Sequence, residues 1–410
     1  MAKPNTSPTV LKKLFAILKL VAAMLLLLCL TASLFACGEK QNTETSAAPT
    51  TTDSPAPTTT GSPTTTSAPA ETTTFPKAET AGQTGLEAQL KAIETIKKLA
   101  NNLHYMEYKG DYGLSGLLAQ GGAATKEALE EYITAYFSQG LYRYNPAQSD
   151  GACSTISVAL PQGGYGFGRN FDWQNCSAMI VKLEPADGYA SVATANLDFL
   201  GFGEGFVPDN FVNKYISLAA LYAPLDGMNE KGLCVAVLRI NVPEETHQST
   251  GKTSLMTTTA MRLLLDKAAS VDEAIALLKQ YDMHSELGMM YHLAISDAGG
   301  RSIVVEYINN VMHVTETPVV TNFFLTPGDM YGRGEETSKR RYETLTQLRK
   351  DANGVMDTKA IKEALQTVKH SLFAKSRPTQ WSVVYNQASL ELQFYHRENF
   401  EAPSYTYKFD

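Results

Sequence analysis

Three side chains able to do chemistry stand close together in Cys153-Ser154-Thr155 and Gly168-Arg169-Asn170-Phe171-Asp172-Trp173. Cysteine attacks as a thiolate, and its ordinary pKa near 8.5 leaves only a few per cent in that form at neutral pH. A guanidinium such as Arg169 favours the thiolate. Asp172 would then hold a cationic group beside it. One such group is the α-amine of Cys153, released if the Ala152–Cys153 bond is cut. An amine of pKa near 8 suits a general base. Three readings of Cys153 stand open at this point: a buried core thiol, which is the default for a lone cysteine in a strand; half of a disulfide with Cys176 or Cys234; or a nucleophile. Arg169 and Asp172 have a bland reading too, as a plain ion pair at a sheet end.

The elements that must position this group are legible. Cys153 to Leu160 is short and rich in β-branched residues, Pro161 to Gly164 is a turn, and Tyr165 to Phe171 resumes as a strand. Together they predict a hairpin that returns Arg169 and Asp172 to the cysteine end. Gly164, Gly166 and Gly168 have the wrong spacing for a dinucleotide loop and no helix follows, so they are read as serving a tight, twisted hairpin. Further strands are expected at 178–183, 189–195, 233–240, 291–296, 302–308 and 312–317. Helices are expected at 126–137, 257–268, 358–368 and from a capping box at Ser270-Val271-Asp272-Glu273 to about Tyr281. Residues 85–150 carry Leu86, Leu90, Ile93, Ile96 and Leu99 at helical steps and predict helices and loops only. Grouped strands with helices between the groups favour an α+β layered domain over alternating β-α-β units.

The rest of the chain bounds where this happens. Lys3, Lys12, Lys13 and Lys19 precede an apolar run from Leu20 to Leu30, the layout of an export signal. Leu34-Phe35-Ala36-Cys37-Gly38 resembles a bacterial lipobox, which predicts a signal peptide over 1–37, lipid on Cys37, and an exported domain held at the outer face of the cell membrane. An ordinary secretory signal and an uncleaved anchor helix are the alternatives. Residues 38–84, rich in Thr, Ser and Pro, cannot bury enough surface to offset their ordering entropy and read as an extended tether. About 325 residues remain, enough for one large core or two small ones. A net charge of −7 shows no basic patch for nucleic acid. Neither Cys-x-x-Cys nor His-x-x-x-His occurs, so the sequence implies no metal and no other cofactor. Cys176 and Cys234 read as packing residues, and so does His292.

Taken in order, several motifs resemble one family. Cys153-Ser154-Thr155 with Gly168 to Trp173, Asn229-Glu230-Lys231-Gly232-Leu233, Arg301 to Glu306, Val320-Thr321-Asn322 and Ser338 to Tyr342 look like the linear amide C–N hydrolases. That family includes bile-salt hydrolases, penicillin V acylases, acid ceramidase and isopenicillin N acyltransferases. The resemblance implies a four-layer αββα sandwich of antiparallel sheets, the N-terminal nucleophile hydrolase fold, over 153–410, with 85–152 as a helical leader cut at the cysteine. It implies Cys153 as nucleophile and base, Arg169 and Asp172 tuning and orienting it, Asn322 stabilising the oxyanion and Arg341 paired with the site carboxylate. Such an oxyanion donor is typically worth about 3 kcal/mol. Asn229 is read as turn chemistry. The chain departs from bile-salt hydrolases at Val237-Leu238-Arg239, where they carry Gly-Leu-Asn; Arg239, Asn241 and Trp173 become candidate substrate-binding residues. The expected partner is a small N-acyl amide. An acyltransferase on the same fold, a solute-binding lipoprotein with two hinged lobes, and an uncleaved cysteine–histidine enzyme are the competing readings.

Overall fold

The computed structural model describes residues 82–138, 144, 151–202, 205–286, 288–371 and 377–410. The signal peptide, Cys37 and nearly all of the tether lie outside the described residues. The described residues belong to one compact unit rather than two lobes.

The leader holds helix α1 (Gln83–Thr95), strands β1 (Lys97–Ala100) and β2 (Leu103–Gly110), and helices α2 (Leu114–Ala119) and α3 (Lys126–Ser138). The expectation of helices alone is corrected: α1 stops at Thr95, and Leu99, counted into the helical pattern, lies in a strand. Gln83 and Thr84, assigned to the tether, open α1. Thr125 caps α3 as expected, its hydroxyl taking the Ala128 amide at 3.2 Å.

The remaining chain runs β3 (Ala152–Ala159), β4 (Tyr165–Asp172), β5 (Ala178–Pro185), β6 (Ser191–Asn196), α4 (Phe211–Ile216), β7 (Pro224–Asn229), β8 (Cys234–Ile240), β9 (Thr253–Met256), α5 (Thr257–Lys267), α6 (Val271–Leu278) and β10 (Tyr281–His284). Then follow β11 (Met290–Ser296), β12 (Ser302–Ile308), β13 (Val311–Glu316), β14 (Val319–Val320), α7 (Glu336–Asp351), α8 (Thr358–Thr367), β15 (Thr379–Asn386), β16 (Glu391–His396) and β17 (Tyr405–Lys408). The capping box opens α6: the Ser270 hydroxyl takes the Glu273 amide, while the Glu273 carboxylate takes the amide of Ala269. The helix ends at Leu278 and not near Tyr281, which starts β10.

Two sheets pack face to face. One has nine strands in the order β1-β2-β5-β6-β7-β8-β11-β12-β13, the other six in the order β14-β3-β4-β15-β16-β17. Side chains of both sheets, among them Phe167, Trp381 and Val237, share one buried cluster between them. Helix α5 covers the outside of the nine-stranded sheet at β7 and β8, and α7 and α8 cover the outside of the other at β3, β4 and β15. The layer order is therefore αββα, as expected of the N-terminal nucleophile hydrolase fold. The pairing is not wholly antiparallel: leader strand β2 runs parallel to β5 in the nine-stranded sheet, Leu103 opposite Ala178 and Gly110 opposite Pro185.

The glycines of the hairpin divide their labour. Gly163 and Gly164 adopt φ of 94° and 78° and make the turn. Gly166 and Gly168 instead admit α8, because a Cβ on either would stand 2.8 or 2.6 Å from the Ile361 side chain.

Candidate active site

The hairpin forms in the register that the site needs. Cys153 lies opposite Phe171, Thr155 opposite Arg169 and Ala152 opposite Asp172. Residues directly opposite share a face, so Cys153 and Arg169 point together into the gap between the sheets, while Asp172 points to the other face. The chain is continuous through Ala152 and Cys153, both within β3.

Arg169 is fully buried. It pairs with Asp226 on β7, donates to the Val237 carbonyl at 2.9 Å and reaches Cys153 Sγ with Nη2 at 3.4 Å. Burial pushes the Cys153 thiol up, and Arg169 works against that; Asp172 adds to the rise and Arg341 opposes it. Asp226 also accepts from Trp381 Nε1 and the Tyr385 hydroxyl, both at 2.9 Å, so its charge is met on several sides.

The Cys153 backbone is held equally firmly. Its amide donates to Asn322 Oδ1 at 2.7 Å and its carbonyl accepts from Arg341 Nη1 at 2.6 Å. Arg341, on α7, also donates to Ser154 Oγ at 2.7 Å and to Asn322 Oδ1 at 2.9 Å. Asn322 Nδ2 donates to the Arg239 carbonyl at 2.7 Å. Asp172 is fully buried; Oδ1 takes the Thr379 hydroxyl at 2.5 Å, and Oδ2 takes no hydrogen bond among the described residues, with Arg341 at 3.8 Å and His370 at 4.0 Å.

A cavity of ≈30 Å³ touches Cys153, with Trp173, Val237, Arg239, Glu286 and Tyr291 in its wall. Gly151, two residues before Cys153, borders it as well. Trp173 Nε1 is buried and donates no hydrogen bond among the described residues. The structure thus brings together Cys153, Arg169, Asp172, Asn322 and Arg341, and sets Trp173 and Arg239 on the cavity. Asn241 is not in that wall: it lies beyond the end of β8, 3.4 Å from Arg239, and donates to Glu335. Strand alternation alone does not apply there, because the strand has ended at Ile240.

Cys153, Cys176 and Cys234 are all free and buried, which removes the disulfide reading. Asn229 is structural, donating to the Leu265 and Ala268 carbonyls and accepting the Lys231 and Leu233 amides. No described histidine hydrogen-bonds Cys153. His292 is the satisfied core residue expected, its Nδ1 2.9 Å from Glu306 and its Nε2 2.7 Å from the Thr321 carbonyl. Ser338 Oγ takes the Asn322 amide at 2.6 Å. The sequence does not point to Asp226, which pairs with Arg169, or to Ser338, which holds the Asn322 amide. Asp226 carries no local pattern, while Ser338 lies inside a motif read for its arginine.

Among the described residues no three His, Cys, Asp or Glu side chains are grouped to hold a metal ion, and no helix is long and apolar enough to cross a membrane.

Near the start of β3, in a hairpin of the six-stranded sheet, a cysteine stands beside a buried arginine and a small cavity, within an αββα sandwich. Residues 153–329 match the model of the linear amide C–N hydrolases, choloylglycine hydrolase family, and that match begins on Cys153. Among curated proteins, a penicillin V acylase from Pectobacterium atrosepticum is 33% identical over 111 residues, covering 24% of this chain and 29% of that relative. Among solved structures, a mutant conjugated bile acid hydrolase from Clostridium perfringens aligns with TM-score 0.44 and 18% identity, over 63% of this chain and 96% of that one. A penicillin V acylase from Agrobacterium tumefaciens aligns with TM-score 0.45 and 16% identity, over 60% and 83%.

Proposed function

We propose that this protein hydrolyses linear amide C–N bonds with Cys153 as nucleophile, after the chain has cut itself between Ala152 and Cys153. The observation that carries this is the Cys153 sulfur, set on a cavity, 3.4 Å from a buried guanidinium that favours its thiolate. In the maturation step Sγ attacks the Ala152 carbonyl carbon. The C–N bond breaks as the nitrogen takes a proton, and water then splits the thioester. This leaves a carboxylate on Ala152 and a free amine on Cys153. Asp172, whose buried Oδ2 has no hydrogen bond among the described residues, then holds that amine once it is charged.

In turnover the amine takes the thiol proton, the thiolate adds to the substrate carbonyl, and the amine returns the proton to the leaving nitrogen. Water, deprotonated by the same amine, clears the thioester. Asn322 Nδ2 turns from the Arg239 carbonyl to the developing oxyanion. Arg341 holds Asn322 and the Cys153 carbonyl in place. Trp173 Nε1 and Arg239 face the substrate. We further propose export and a lipid anchor on Cys37, with residues 38 to 81 as tether.

Intact mass of purified protein, before and after Cys153→Ser, tests the reading together with amine release from a panel of N-acyl amides. Two fragments meeting at Ala152 and Cys153, and loss of both cutting and turnover in Cys153→Ser, are expected. An intact wild-type chain that still releases amine contradicts self-cleavage, and turnover surviving Cys153→Ser contradicts the nucleophile.

A further inference from the structure

Two small cavities meet at one carboxyl group. The first, ≈30 Å³, touches Cys153; the second, ≈40 Å³, lies beneath α3 against Leu129 and Ile133 of the leader. Phe199, Thr258 and Glu286 border both. Most of the surrounding surface is apolar. Glu286 is 5% exposed; its Oε1 takes the Thr258 amide at 3.1 Å and hydroxyl at 2.6 Å. Both hydrogen bonds from Thr258 go to Oε1, and the carboxyl group borders both cavities. Two other buried carboxylates near the site are met on both oxygens. Asp226 meets Arg169, Trp381 and Tyr385, and Glu306 meets His292 and the amides of Leu325 and Thr326. A carboxyl oxygen facing a small apolar cavity is met by a water or by a donor on a ligand that enters it. Burial lifts the Glu286 pKa to about 7 against the two Thr258 bonds, so near neutral pH it is present both as acid and as carboxylate.

We propose that Glu286 hydrogen-bonds a donor group, a hydroxyl or an ammonium, carried by the otherwise apolar acyl part of the substrate, with the Phe199 ring as a movable partition between the two cavities. The inference rests on the amide-hydrolase reading and names a substrate class for it. Each cavity admits only a few waters. An acyl chain attached at Cys153 therefore reaches past Glu286 by turning the Phe199 ring aside, and its far end meets Leu129 and Ile133. The leader then helps to shape the acyl pocket. Glu286 sets which acyl group is preferred and takes no part at the sulfur.

The rival account is that Glu286 only caps α5, where Met256 offers no side-chain cap. Glu286→Gln keeps the Oε1 acceptor; Glu286→Leu does not. Hexanoyl, ω-hydroxyhexanoyl and ω-aminohexanoyl anilides are the substrates. Wild type is expected to favour a donor-bearing anilide by about tenfold in kcat/KM, the worth of one charge-assisted hydrogen bond. Glu286→Leu should erase that preference while still cleaving the hexanoyl anilide. Glu286→Gln should keep a preference for the hydroxyl and lose one for the ammonium. An equal loss on all three substrates, or an unchanged preference, overturns the inference. If no anilide is cleaved, the hydrolase reading fails separately. Calorimetric binding of ω-hydroxyhexanamide and ω-aminohexanamide against hexanamide then decides: tighter binding of a donor-bearing amide that Glu286→Leu removes sustains the inference, and equal affinities sink it.

Discussion

Arg169 serves the sulfur and the fold at once. Its guanidinium is fully buried between Asp226 and Cys153, and burial, which disfavours its charge, is outweighed by Asp226. Removing one partner of a buried pair leaves an uncompensated charge and costs about 3–5 kcal/mol. Arg169→Met should therefore lower stability in urea by about that amount and slow alkylation of Cys153. Adding Asp226→Asn should restore much of the stability, because the stranded carboxylate is gone, but none of the thiol reactivity. Urea unfolding and peptide-mapped iodoacetamide labelling read the two effects apart. Recovery of both by the double variant would mean that Arg169 acts on the sulfur only through the fold. At this scale Cys153, Arg169 and Asp172 were legible because they share one hairpin. Asp226 was not, since nothing in Leu225-Asp226-Gly227 shows that Arg169, Trp381 and Tyr385 converge on it.

Elements bridge the gap between the sheets. Asn322 follows β14, the edge strand of the six-stranded sheet, yet its neighbour Thr321 is held by His292 on β11, and Glu306 on β12 secures both His292 and the amides of Leu325 and Thr326. Burial raises the Glu306 pKa, but His292 and those amides win and hold it below its ordinary 4.5. A depressed carboxylate stabilises the fold above its unfolded pKa and loses that contribution as pH falls through the folded value. Glu306→Gln should thus cost about 2–3 kcal/mol near neutrality, lower kcat through the loosened Asn322, and show a difference from wild type that shrinks below about pH 4.5. Urea midpoints across pH, set beside kcat, check this; a difference that grows toward acid would contradict it. Strand β7 was illegible for a related reason. Pro224, Asp226, Gly227 and Asn229 are poor strand formers, yet Asp226 is needed as an acceptor, and a Cβ on Gly227 would stand 2.9 Å from Leu265 of α5. Strand β15, buried on both faces from Thr379 to Tyr385, gives no polar–apolar alternation to read.

At the scale of the molecule the residues before Cys153 are built into the folded core. Composition separated tether from folded domain, because a Thr/Ser/Pro stretch has little to bury, but it could not show that 85–152 enters the nine-stranded sheet. A strand's partner lies far away in sequence: β2 pairs with β5 along its whole length, Leu103 to Gly110 against Ala178 to Pro185. The Tyr112 hydroxyl meets Asp266, which is paired with Arg262 on α5, and Tyr132, Tyr136 and Phe137 of α3 lie in the main buried cluster. Cutting one peptide bond at Cys153 removes none of these contacts. The two proposed fragments should therefore co-elute in native buffer and part only in denaturant. Met106, fully buried in β2, gives the control: Met106→Ala should cost about 2–5 kcal/mol, and Met106→Pro, which also removes a ladder hydrogen bond, should release the leader or prevent folding. If lipid on Cys37 holds the leader fragment, the catalytic fragment has no covalent anchor after cleavage, yet it should fractionate with membranes and leave them in urea together with its activity. A catalytic fragment that appears free in the medium and remains active would show that the leader is dispensable once the bond is cut.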